Sequence, residues 1–245
     1  MREVTLNCDM GESFGLYSFG ADRALMPLID TANVACGFHG SDFNHMRETV
    51  RLAKQHGVTV GAHPSLPDLQ GFGRREMAIS RTELANCILY QVGALSGFLA
   101  AEGMKLSHIK PHGSLYGMTA REDDLAHAVA DVADVFRVPI FGLAGTAHEA
   151  VYAARGHELI PEFFADLDYD EAGKLIITRE HHAVDPDLVL QRTIDAVEHG
   201  RIVTASGKHI PLRVGTICIH SDTPNAVEIA GAVATGLKGK PALIS

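Results

Sequence analysis

Lys110-Pro111-His112-Gly113-Ser114-Leu115-Tyr116 puts a cation, an imidazole and a hydroxyl in one short stretch. A cation so placed can clamp a carboxylate, a phosphate or a developing oxyanion, and an imidazole moves protons near neutral pH. Three other stretches share the pattern of an apolar run that stops at an ionisable residue beside Gly or Pro: Asn7-Cys8-Asp9-Met10-Gly11-Glu12, Cys36-Gly37-Phe38-His39-Gly40 and Gly61-Ala62-His63-Pro64-Ser65. Asp166 and His220 end two more such runs. Acids and imidazoles together are the equipment of general acid–base hydrolysis. Asp9 and His39, with His63 or His112, would also serve as ligands to a divalent cation that acidifies water, although no HxH or HExxH spacing marks a ligand pair. Taken singly, each residue has a plain structural reading: Asp9 and Asp166 as turn residues, Glu12 as a solvated carboxylate at a helix start, a strand-end His as a backbone partner.

The elements around these residues decide between the readings. Arg2 to Cys8, Thr31 to Ala35, Val58 to Ala62, Met104 to Ile109, Val138 to Leu143, His157 to Ala165 and Val214 to Ile219 read as strands. Between them lie helical patterns at 22–30, 42–56, 80–102, 121–136, 146–155, 185–199 and 223–237. The third of these opens on a Ser80–Glu83 capping box, and the second and sixth stop at Gly57 and Gly200. Small hairpins are predicted at 168–177 and 201–211, and a long loop from His63 to about Ile79 carries Pro64, Pro67, Gly71 and Gly73. About seven strand–helix alternations with no linker mean a parallel sheet. Their number favours one closed or nearly closed β/α barrel domain over residues 1–245, rather than an open doubly wound sheet. In such a barrel the carboxyl ends of the strands share one mouth, where Asp9, His39, His63, His112, Asp166 and His220 converge. His45, His56, His127, His148, His157, His181, His182 and His199 fall on helix or loop patterns and are expected at the surface.

Composition narrows the partners. A net charge of −9 with no run of Lys or Arg excludes a general nucleic-acid or anionic-membrane partner. No apolar run is expected to reach the ~18 residues of a membrane span, and no signal peptide is read at Met1 to Asp9, so a cytoplasmic protein is expected. The four cysteines have no CxxC spacing and read as reduced thiols. Association of the chain with itself stays open.

The motifs Asn7 to Glu12, Ala32-Asn33-Val34-Ala35-Cys36-Gly37-Phe38-His39, Gly61 to Ser65, Gly71-Phe72-Gly73-Arg74, Gln91-Val92-Gly93-Ala94-Leu95, Lys110 to Gly113 and Leu115-Tyr116 together resemble the LamB/YcsF family. Members of that family are the A subunit of a prokaryotic ATP-dependent 5-oxoprolinase. The resemblance covers essentially the whole chain and implies a distorted (β/α)7 TIM-like barrel similar to polysaccharide deacetylases. It implies B and C partner subunits, ATP with Mg2+ as cosubstrate, and conversion of 5-oxo-L-proline, ATP and water to L-glutamate, ADP and phosphate.

On this reading the catalytic candidates are Asp9, Glu12, His39, His63, Lys110, His112, Asp166, His220 and Asp222. Asn7, Arg74, Ser114 and Tyr116 are the substrate contacts. Asp9 with His39 or His63 would orient and deprotonate water, Lys110 and His112 would stabilise an oxyanion or phosphate, and His220 or Asp222 would protonate the leaving nitrogen. No GxxxxGK[ST] loop is present, so nucleotide would be held by another route or by the partners. A metal-dependent amide hydrolase is the alternative. Three positions depart from the family pattern: Leu167 replaces an Arg after Asp166, Thr178-Arg179 replaces Pro-Arg, and His220-Ser221-Asp222 replaces His-Gly-Asp.

Overall fold

The computed structural model describes residues 4–176 and 182–237. Seven strands run in parallel and close on one another: β1 (Thr5–Met10), β2 (Thr31–Ala35), β3 (Thr59–His63), β4 (Leu106–Ile109), β5 (Ile140–Gly142), β6 (Leu159–Phe164) and, after four short hairpin strands, β11 (Thr216–Ile219). β11 completes the ring by pairing with both β6 and β1, in register Thr5↔Thr216 and Asn7↔Cys218. The hairpin strands pair in two small antiparallel sheets, β7 (Asp168–Tyr169) with β8 (Leu175–Ile176) and β9 (Arg201–Val203) with β10 (His209–Pro211). Around the barrel lie α1 (Asp22–Leu25), α2 (Phe43–His56), α3 (Arg81–Ala101), α4 (Gly113–Arg121), α5 (Asp123–Phe136), α6 (Ala147–Ala154), α7 (Pro186–His199) and α8 (Ala226–Leu237).

Successive strand residues point to opposite faces, and the chain uses this to separate two interiors. Leu6, Cys8 and Met10 of β1, Ala32 and Val34 of β2 and Ile217 and Ile219 of β11 are buried in the hydrophobic core with the helices. The alternate positions Asn7, Asp9, Asn33, His108, Lys110, Glu162, Thr216 and Cys218 bond or pair with one another across the lumen. The barrel is therefore apolar on its outside and polar within.

Three expectations change. Residues 113–121, which the predicted elements leave between a strand ending at Ile109 and a helix from 121, form α4, preceded by His112 and separated from α5 by Glu122. Leu84 to Ala101 of α3 is an uncharged stretch of membrane-span length. Its apolar face, Leu84, Ile88, Val92, Leu95 and Leu99, is buried in the barrel's core, so it serves as a barrel helix. His148 is wholly buried, whereas His56, His182 and His199 are exposed; His181 lies outside the described residues, as does the Thr178-Arg179 pair.

His148 Nδ1 accepts the Leu143 N–H at 3.1 Å, which places the proton on Nε2, 2.8 Å from Thr119 Oγ1. Burial lowers its pKa to about 3. The unfolded ring takes a proton near pH 6.5 and the folded one does not, so this contribution is complete above pH 6.5 and shrinks by about 1.4 kcal/mol per pH unit as pH falls toward 3. Chemical denaturation of wild type and His148→Gln should therefore show a stability gap about 2 kcal/mol smaller at pH 5 than at pH 7.5. An equal gap at both pH values would show that the folded ring titrates normally.

Candidate active site

The strand ends deliver the predicted residues to one mouth. At its centre Lys110, at the end of β4, is buried with its ammonium 2.8 Å from Asp9 Oδ1, 2.9 Å from Glu162 Oε1 and 3.1 Å from Cys218 Sγ. The Glu162 approach is a charge contact, not an aligned hydrogen bond. Burial alone would strip the proton from Lys110, but Asp9 foremost and Glu162 outweigh it and hold its pKa above the ordinary value. Asp9 is the converse: burial would raise its pKa, but His63 and Lys110 hold it well below the ordinary carboxylate range. Asp9 Oδ1 also accepts from Asn33 Nδ2 at 2.8 Å, and Oδ2 lies 3.3 Å from His63 Nε2. Asn7 sits beneath the pair, its Oδ1 3.4 Å from the ammonium.

Beside this pair the imidazoles of His39, His63 and His112 cluster with Glu12. His63 Nδ1 lies 2.7 Å from the Lys110 carbonyl and His112 Nε2 lies 2.8 Å from the Phe72 carbonyl. A carbonyl only accepts, so both outer nitrogens carry protons. His63 Nε2 and His112 Nδ1 then face each other at 2.9 Å with lone pairs, an arrangement open to taking up a proton or a cation. Burial first and the neighbouring imidazoles second push His112 well below its ordinary pKa. Burial likewise keeps His39 neutral, its Nε2 3.1 Å from Glu12 Oε1 and its buried Nδ1 without a hydrogen-bond partner among the described residues. Burial, with Asp9 and Asp222, raises Glu12. Donor atoms of Glu12, His39, His63 and His112 all lie within 4.8 Å of one another. Three imidazoles and a carboxylate around facing lone pairs fit a borderline divalent cation such as zinc or manganese. The grouping differs from the spacing-based one: His63 and His112 both join His39, Glu12 is added, and Asp9 turns to Lys110.

The long loop after β3 roofs this cluster. Gln91 of α3 pins its start, accepting from Ser65 N at 2.9 Å and donating to Ser65 O at 2.8 Å. Gly73 has φ +64°, and a Cβ there would lie 2.1 Å from Ser65 Oγ, so glycine alone lets the loop press onto the site. Phe72 lies edge-on to His39 and His112, whose rings stack at 3.7 Å. Arg74 reaches Asp222 at 2.8 Å.

On the opposite wall Asp166 holds His220, with Oδ1 3.0 Å from the ring Nδ1 and Oδ2 accepting the His220 N–H at 3.0 Å. Burial would lower this imidazole, but Asp166 outweighs it and raises the pKa. A narrow cleft opens among Lys110, His112, Tyr116, Phe164, Leu167 and His220. Ser114 lies in the first turn of α4, its N–H bonded to Gly73 O. Glu162, Asn33 and His108 belong to the site without ending a strand, and the strand-end pattern does not reach them. For His108 and Glu162 the signal is spacing: His108-x-Lys110-x-His112 and Glu162-x-Phe164-x-Asp166 each step by two from a strand into the mouth.

Fold and site together define a closed β/α-barrel protein with an acid–base centre buried at its mouth. The LamB/YcsF family profile matches residues 4–244, and this chain belongs to that family. It is 46% identical over 93% of its length to a "Lactam utilization protein lamB" of Emericella nidulans, covering 91% of that protein. It is 43% identical over 94% of its length to a Staphylococcus carnosus protein named as the A subunit of 5-oxoprolinase, covering 93% of it. A solved lactam utilization protein from Thermus thermophilus superposes with a TM-score of 0.90 at 41% identity, over 99% of this chain and 100% of the other.

Metal content tests the imidazole cluster without reference to activity. Protein loaded with zinc or manganese and desalted should retain about one ion per chain by elemental analysis. His39→Ala and His112→Ala should retain at least ~10-fold less. Equal retention by all three proteins would remove the cluster as a cation site.

Proposed function

We propose that this chain is the A subunit of an ATP-dependent 5-oxoprolinase, opening the lactam of 5-oxo-L-proline to L-glutamate together with B and C subunits. The observation that carries this reading is the buried Asp9–Lys110–Glu162 group, whose Asp9 and Lys110 line a cleft shared with His63, Tyr116 and His220. Full-length likeness to proteins named for lactam utilization and for the A subunit of 5-oxoprolinase supplies the substrate class.

A five-membered lactam is a poor electrophile with a poor leaving nitrogen, so hydrolysis needs three things. The carbonyl oxygen must be stabilised as it gains charge, and Lys110 supplies a permanent cation whose desolvated position makes it effective. A water must be aimed and deprotonated. Asp9 Oδ2 is an acceptor for it, and the facing lone pairs of His63 and His112 take the proton and share it. The leaving nitrogen must gain a proton, and His220, whose pKa Asp166 raises, is placed to supply it. Phosphorylation of the lactam oxygen by ATP would make the carbon a better target still. The described residues present no Gly-rich phosphate loop, and we assign nucleotide handling to the partner subunits.

The second reading, a metal-dependent amide hydrolase, is favoured by the four-donor cluster at Glu12, His39, His63 and His112. A divalent cation held there would lower the pKa of a bound water and polarise a carbonyl. Asp9, Lys110 and His220 would keep their roles.

Glutamate release from 5-oxoproline, measured with partner subunits and ATP, distinguishes these readings. Asp9→Asn and Lys110→Ala should each lower the rate by at least ~10²-fold while near-UV circular dichroism stays native. Near-normal turnover in either variant would overturn its role. Release that needs partners and ATP but survives tight chelation of transition metals under excess magnesium identifies the oxoprolinase. Release by the chain alone, lost on chelation and restored by zinc or manganese, identifies the metal hydrolase.

A further inference from the structure

His108 does not line the cleft, yet its imidazole is held on every side. It stands on β4 two residues before Lys110 and shares the lumen face. Its ring stacks on Phe141 with centroids 3.7 Å apart and planes 6° from parallel. Gly61 also abuts the ring: a Cβ there would lie 2.1 Å from it, so any side chain at 61 would expel it. Its two nitrogens meet Ser107 Oγ and Asn33 Oδ1, each at 2.7 Å.

The direction of every bond in this chain follows from Asp9. The Asp9 carboxylate is ionised and only accepts, so Asn33 must turn its NH2 toward Asp9 Oδ1 at 2.8 Å and Asn7 Oδ1 at 2.7 Å. The Asn33 carbonyl then faces His108, whose Nε2 must carry the proton, and Nδ1 accepts from the Ser107 hydroxyl. Asn7 is fixed in turn by donating to Thr216 Oγ1 at 2.9 Å. Asn33 and Lys110 thus both hold Oδ1, which leaves Oδ2 directed at His63.

We infer that His108 is a positioning residue: through the Asn33 amide it fixes the rotation of the Asp9 carboxylate, so that Oδ1 serves the lysine and Oδ2 faces the imidazoles. Without the His108 N–H the Asn33 carbonyl is buried with no donor, and the amide is free to tilt or to seek another partner. Asp9 then loses the second of the two groups that define its plane. The catalytic consequence rests on the role given to Asp9 above, but the positioning itself does not.

Spectroscopy and kinetics test it separately. In 15N-labelled protein, long-range 1H–15N spectra should show His108 as the neutral Nε2–H tautomer, and the Asn33 side-chain amide protons should exchange slowly with solvent. His108→Phe should speed that exchange at least tenfold, and His108→Gln, whose amide can still donate to Asn33, should keep it within about threefold of wild type. Should His108→Phe fail to fold, Ser107→Ala, at the half-buried end of the chain, is expected to shift the His108 tautomer signal by itself. With partners and ATP, His108→Phe should lower kcat at least tenfold with KM within twofold, and His108→Gln should restore most of it. An Nδ1–H tautomer in wild type or an unchanged Asn33 amide in His108→Phe would overturn the inference, and a loosened amide with unchanged kcat would overturn its catalytic consequence. If wild type shows no 5-oxoproline turnover, the proposed function fails and the spectra alone decide the positioning.

Discussion

A lysine ammonium in the middle of a barrel is the constraint from which the rest of the structure follows. Moving such an ion out of water costs several kcal/mol, which is recovered only where opposite charge and hydrogen-bond acceptors surround it. Lys110 finds Asp9 on one side and Glu162 on the other, with Asn7 and Cys218 filling the remaining directions. Those partners come from β1, β6 and β11, which are distant in sequence. The ring of strands is what lets one cation collect them. The two carboxylates in turn require the cation, so neither side of the arrangement is stable by itself.

Because the lumen is committed to charge, stability must come from elsewhere. The hydrophobic core lies between the outer faces of the strands and the helices, where Leu6, Val34, Ile109 and Ile217 pack with Val92, Val129 and Ile229. This division leaves the interior free to hold a polar network in which Asn7, Asp9, Asn33, His108 and Lys110 bond to one another, while Glu162 enters by charge alone. Function and folding therefore draw on alternate residues of the same strands.

That alternation explains what is legible in the sequence. Seven strand–helix repeats reveal the barrel, and strand-end ionisable residues reveal most of the mouth, because both signals are local. Glu162, Asn33 and His108 escape such a reading because each stands inside a strand, where a single polar residue among apolar ones looks like a tolerated exception. Their meaning depends on partners in other strands. His148 defeats the surface expectation for a related reason: it sits on a helix pattern, and only the neighbouring Leu143 N–H and Thr119 hydroxyl make its burial tolerable. The start of α4 is hidden by Gly113 and Gly117, which read as loop residues, although Gly113, with φ +54° and Gly73 O 2.7 Å from where a Cβ would sit, is the first residue of the helix. The four-donor cluster draws Glu12 from a loop whose path is set by Gly11 at φ +73°, a conformation that spacing does not reveal.

The pairing of β1 with β11 has a consequence for how the protein is made. Thr5 and Thr216, 211 positions apart, share a hydrogen bond at the seam of the ring. A ribosome delivers Asp9 long before Cys218, so until β11 emerges the first strand has only β2 as a neighbour. Contacts of such separation form late and slowly. Until β11 emerges, the carboxylates and the lysine remain hydrated, and their dehydration coincides with closure of the ring. Assembly of the chemical centre thus waits on the emergence of β11.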